Sequence, residues 1–215
     1  LLVEYIRCCC TDINNGIQTP VEFLVAIAAI LRNVLQTLTT QCHNKHIIHG
    51  DIKSRNILIL PPTKSTAATS SSPATTSAPV KLIDFGLAYM IGTPIPLKEA
   101  TYTHPPSFSS HIPPECFCAH TVTLASPAYD LYSLCDLISR ILNMCCPHQD
   151  QVNLSLCPQS MWPYLYRPYE LQQVCTAKEI DTFLQQMQEP HFYEQLYLPI
   201  ANSNDSDNSN PSQSP

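Results

Sequence analysis

"HGDIKSRNIL", residues 49–58, sets an imidazole, a carboxylate, an ammonium and an amide within eight positions and then runs directly into apolar residues. Transfer of a phosphoryl group to a hydroxyl asks for a carboxylate that orients and deprotonates the nucleophile, a cation beside the transferred group, and oxygen ligands for magnesium. Asp51, Lys53 and Asn56 supply one of each. Asp51 and Lys53 are two residues apart, so in an extended loop their side chains project to the same side. Asn56, immediately before the apolar run, can offer a neutral carbonyl oxygen to a metal.

A second, charged metal ligand is supplied by "LIDFGLA", residues 82–88. The runs Ile57 to Leu60 and Val80 to Ile83 read as two short strands of one hairpin, which would deliver Asp84 beside Asn56. Gly86 lets the backbone turn there. Between the strands lies "PPTKSTAATSSSPATTSAP", residues 61–79, almost wholly Ser, Thr, Ala and Pro. Such a stretch cannot bury enough apolar surface to offset its ordering entropy, so it reads as a disordered insertion, with regulatory phosphorylation or partner docking as its functional alternative. The closing "ANSNDSDNSNPSQSP", residues 201–215, reads as a disordered tail by the same argument.

The clearest local grammar precedes the quoted stretch. Thr19 can cap, Pro20 suits a first helical position, and Glu22 completes a Thr-x-x-Glu box. From there Phe23, Leu24, Ile27, Leu31, Val34, Leu35 and Leu38 recur at helical spacing, predicting a core-facing helix that ends near His43. "LLVEYI", residues 1–6, is β-branched and aromatic and reads as a strand, followed by turn-rich "TDINNGIQ". Two more helices are predicted, Ser126 to Met144 and Ala177 to Gln188. The Pro- and Tyr-rich "CPQSMWPYLYRPYE", residues 157–170, connects them irregularly.

Composition narrows the function. A chain of 215 residues that is 44% hydrophobic can build a packed core. Eleven Lys and Arg against seventeen Asp and Glu leave a net charge of −6, which removes the electrostatic basis for gripping nucleic acid or an anionic membrane regardless of sequence. No uninterrupted apolar run reaches the roughly 18–20 residues that span a bilayer. Eleven cysteines, an odd number without a secretory signal before them, point to a reducing, intracellular setting in cytoplasm or nucleus. Cys116, Cys118 and His120 lack the paired spacing that brings four ligands around zinc. Cys8, Cys9 and Cys10 cannot share a face on any regular element.

Taken together, "HGDIKSRN" and "DFG" resemble the catalytic-loop and metal-binding motifs of the protein kinase superfamily. The resemblance implies an α+β architecture: the mainly helical large lobe of a kinase-like fold, with short β-hairpins at the active site. It implies Asp51 as catalytic base, Lys53 as a γ-phosphate contact, Asn56 and Asp84 as magnesium ligands, and ATP with Mg2+ as cofactors. "PPE", Pro113 to Glu115, resembles the close of the activation segment. "YDLYSL", residues 129–134, resembles a buried helix whose Asp130 tethers the catalytic-loop backbone. "LVEYI" resembles the hinge strand, where the backbone from Glu4 to Ile6 would bond adenine, with Leu58 packed beneath the base. Lys53 two residues after Asp51 resembles Ser/Thr kinases more than tyrosine kinases, implying a protein substrate that presents a Ser or Thr hydroxyl. The likeness runs from residue 1 to about residue 145, within one partial domain over residues 1–200.

The departures carry information too. Gly50 stands where many kinases have an arginine that pairs with a phosphorylated activation loop, so control through Thr93, Thr101, Tyr102 or Thr103 is not expected. Only four glycines occur, Gly16, Gly50, Gly86 and Gly92, so no G-x-G-x-x-G phosphate loop exists, and no lysine precedes Lys45. The expectation is therefore a large lobe without its small, β-rich, ATP-gripping partner. Two other readings stand beside it. "HGD" and "SPAYDL", residues 126–131, also resemble small-molecule phosphotransferases of the aminoglycoside and choline kinase type, and a kinase-like fold without catalysis would serve as a binding scaffold.

Overall fold

The computed structural model describes residues 1–61, 78–95, 113, 116, 122–145, 156–157, 175–189 and 191–197. In chain order these hold α1 (Leu2–Asn14), α2 (Pro20–Thr37), β1 (Ile47–Ile48), β2 (Ile57–Ile59), β3 (Val80–Leu82), β4 (Tyr89–Met90), α3 (Pro127–Cys145), α4 (Ala177–Gln186) and α5 (Phe192–Tyr197). The architecture is α+β, mainly helical, and the described strands form two antiparallel pairs, β1 with β4 and β2 with β3.

The helix α2 starts where its grammar places it. The Thr19 hydroxyl accepts the Glu22 N–H at 3.2 Å while the Glu22 carboxylate accepts the Thr19 N–H at 2.8 Å, satisfying two of the donors that a helix start leaves open. All seven residues of the predicted stripe are buried. Past Thr37 the helix widens into a π turn, Leu38–Cys42, and tightens into a 3-10 turn, His43–Lys45. His46, left-handed with φ 59°, then stops it. The helical run Pro20–Lys45 is long and apolar enough to cross a membrane by length and composition. Its apolar stripe, however, belongs to the same buried cluster as residues of α1, α3, α4 and the β2–β3 hairpin, the arrangement of a core helix.

The opening residues differ from the strand that their composition predicts. Leu2 to Ile6, Glu4 included, lie in α1, which also takes in the first half of the turn-rich stretch, as far as Asn14. Leu2, Ile6 and Cys9 are buried and Ile13 packs against the same cluster, a spacing of four, three and four that a helix places on one face. A strand at this place would have no ladder partner among the described residues, so tertiary packing outweighs β-propensity. The three adjacent cysteines fall on different sides of α1: Cys8 exposed, Cys9 buried, Cys10 between.

The hairpin forms in the expected place, with Ile57 opposite Leu82, Leu58 opposite Lys81 and Ile59 opposite Val80. Leu60 N–H donating to Pro79 O at 2.8 Å closes its outer end, and the Asn33 amide of α2 holds Ala78 O at 2.8 Å. Residues 62–77, the bulk of the proposed disordered insertion, lie outside the described residues, as does the tail 201–215. The pair β1–β4, with Ile47 opposite Met90, is too short for its sequence to announce.

Two predicted helices are present with small shifts, Pro127–Cys145 for Ser126–Met144 and Ala177–Gln186 for Ala177–Gln188. A second capping box, Thr176 with Glu179, starts α4. Arg32 of α2 binds Asp181 of α4, with Nε to Oδ1 at 2.9 Å. α5 was not expected.

Candidate active site

Backbone geometry first fixes the loop that carries Asp51. The carboxylate of Asp130, fully buried near the start of α3, accepts the backbone N–H groups of His49 at 2.8 Å and Gly50 at 2.9 Å. Nε2 of His43, at the end of the α2 run, is 3.0 Å from the same carboxylate. The loop is thereby clamped from two helices through one anion. His43 was not singled out in the sequence, because its partner lies 87 residues away and no local pattern reports the pair.

His49 is fixed by what surrounds it. Its Nδ1 accepts the Asp51 N–H at 3.3 Å and its Nε2 lies 3.0 Å from Ile83 O. A backbone N–H can only donate and a carbonyl can only accept, so the ring carries its proton on Nε2 and ties the catalytic loop to the strand end before Asp84. Phe85 leans on this ring, centroids 4.5 Å apart, and is 47% exposed.

Asp51, Lys53 and Asn56 come together as predicted. Oδ2 of the buried Asp51 receives Lys53 Nζ at 2.7 Å and Asn56 Nδ2 at 2.8 Å, and the same amide nitrogen reaches Asp51 O at 2.9 Å. Both partners of that nitrogen are acceptors, which sets the amide orientation and leaves Asn56 Oδ1 as the end without a hydrogen bond among the described residues. Ile83 N–H donates to Asn56 O at 3.0 Å, so the hairpin places Asp84 one residue from a direct backbone link to Asn56. Asp84 is exposed and left-handed, φ 64°, a conformation disfavoured for a side-chain-bearing residue. A Cβ on Gly86 would lie 3.2 Å from Asp84 Oδ1, so the carboxylate folds over the glycine.

The donors fit a hard cation. Asn56 Oδ1 and the Asp84 carboxylate are oxygen donors from two chain segments joined by one hairpin. No group of three His, Cys, Asp or Glu that could hold a metal occurs among the described residues. A site with one carboxylate and one amide suits magnesium, which keeps much of its water and takes further oxygens from phosphate.

Gly50 has φ 77°, and a Cβ there would collide with the Leu87 carbonyl. The segment after Asp84 thus rests directly on the catalytic-loop backbone. Leu58 is half-buried and lies outside the main core cluster, on the opposite face of β2 from Ile57 and Ile59. Glu4 and Ile6 are not brought to this site as an extended edge: Ile6 points into the core and the backbone of both runs within α1. That corrects the expected adenine-bonding strand, because the backbone of both residues is helical and presents no extended edge. Of "PPE", only Pro113 is among the described residues, and Thr101, Tyr102, Thr103, Cys118 and His120 lie outside them.

With this geometry in hand, the protein kinase domain family matches residues 4–191, most of the chain and well past residue 145, where recognisable motifs end. No curated protein matches the chain.

Proposed function

The chain belongs to the protein kinase superfamily and is a kinase-type phosphotransferase by family, and from that premise we propose that it moves the γ-phosphate of ATP to a Ser or Thr hydroxyl of a protein substrate. The observation that carries this reading is the Asp51 carboxylate, buried yet held between Lys53 Nζ and Asn56 Nδ2. In that role Asp51 orients the substrate hydroxyl and takes its proton, and Lys53 turns its charge from Asp51 to the transferred phosphate. Asn56 Oδ1 and Asp84 would hold magnesium, which neutralises charge on the phosphate oxygens when bound. Leu58 offers an apolar seat for the base.

The test is incubation of the chain with γ-labelled ATP, magnesium and a mixed protein substrate, followed by acid hydrolysis of the labelled protein. Label on phosphoserine or phosphothreonine is expected. Label on tyrosine alone, or on a small molecule such as an aminoglycoside or choline, would overturn the assignment.

One observation favours a second reading, a binding scaffold without transfer. Glu4 and Ile6 sit in α1, so the edge that should grip adenine is absent from the described residues. A nucleotide titration of the same chain separates the two, because a scaffold of this kind shows no magnesium-dependent ATP binding.

A further inference from the structure

A cavity of about 190 Å3 lies between the catalytic loop and α3, with Lys53 and Arg55 on one wall and Asp136 and Arg140 on the other. Three cations and one carboxylate face it, in a chain whose net charge is −6. Lys53 already answers Asp51, and Arg140 Nε donates to Asp136 Oδ2 at 2.7 Å. That still leaves Nη2 of Arg140 buried with no hydrogen-bond partner among the described residues. Arg55, exposed, has no ion pair among them either. The Arg140 side chain is 37% exposed, as in an ordinary helical pair of this spacing, but this one donor is shut from water, and a buried donor without an acceptor marks a place where one is missing.

We propose that this cavity receives an anionic side chain of the protein substrate, a carboxylate or a phosphoryl group, close to the hydroxyl that Asp51 serves. The inference rests on the kinase reading and extends it to substrate class. The fork of Arg140 has a planar donor edge to give, which suits the two oxygens of a carboxylate or phosphate. Lys53 joins the two sites, because it lines the cavity and touches Asp51. A substrate anchored there brings its neighbouring residues to the catalytic carboxylate.

Binding of fluorescent peptides to the full chain, read by anisotropy, tests this apart from catalysis. Four peptides share a central serine and carry glutamate, phosphoserine, alanine or arginine on both sides. The glutamate or the phosphoserine peptide, or both, should bind about tenfold tighter than the alanine peptide, and which of them does so identifies the anion. The advantage should shrink in high salt. Arg140→Glu should abolish it, and Arg55→Ala, at an exposed position that the fold does not need, should weaken it. Equal binding of acidic and neutral peptides, preference for arginine, no binding of any peptide, or indifference to both substitutions overturns the proposal. Acidic preference without phosphate transfer would leave the cavity assigned and remove the kinase reading. Transfer without acidic preference would do the reverse.

Discussion

Gly50 occupies a left-handed backbone position against the Leu87 carbonyl, and both facts demand a residue without a side chain. Gly50→Ala should therefore destabilise the chain by about 1–3 kcal/mol, through backbone strain and displacement of the segment after Asp84. Urea unfolding checks it: a lower midpoint at unchanged slope is expected, and an unshifted midpoint would show that the segment yields freely. The sequence marked Gly50 as a departure from the kinase pattern but could not show this contact, which joins residues 37 positions apart in the chain. The same limit hid His43. By contrast Asp51, Lys53 and Asn56 were legible, because their partners lie within five residues and their chemistry is carried by residue type alone.

Local signals also decided which elements could be read in advance. Thr19 and Glu22 announce α2, and Thr176 with Glu179 repeats the same box before α4, a signal that the sequence carries as plainly. α1 resisted because Val3, Tyr5 and Ile6 favour a strand by type while Leu2, Ile6, Cys9 and Ile13 favour a helix by spacing, and only packing arbitrates. The hairpin β2–β3 is closed by Leu60 and Pro79 before residues 62–77 begin. Replacing 62–77 with a two-residue Asn-Gly turn should thus leave the melting temperature unchanged or a few degrees higher, since a shorter loop costs less closure entropy. A large fall in a thermal unfolding scan would mean that those residues contribute packing.

Across the whole molecule, burial sets a distinctive response to alkali. Desolvation holds the Cys135 thiol well above its ordinary value, pushes Cys157 to about 12, and raises Cys9 and Cys42. It also raises the Tyr5 phenol to about 12. For each group the folded value exceeds the unfolded one, so the unfolded chain ionises first. The stability is fully present below the unfolded thiol value of about 8.5 and is lost as pH rises toward the folded values. Melting temperatures should stay level up to about pH 8 and decline steadily above it, and a level profile to about pH 11 would contradict the burial of these groups.

Across the molecule, Asp130 of α3 and His43, just past α2, hold the loop that carries Asp51, the residue that the proposed function sets against a substrate hydroxyl. Asp51→Asn keeps the volume and one acceptor oxygen for Lys53 and Asn56 but removes the charge and the proposed base, so it measures that role directly. Phosphate transfer from labelled ATP to protein should fall by at least about a hundredfold in the variant, with its unfolding midpoint close to that of the parent chain. Transfer at the parent rate by a folded Asp51→Asn chain would contradict the account.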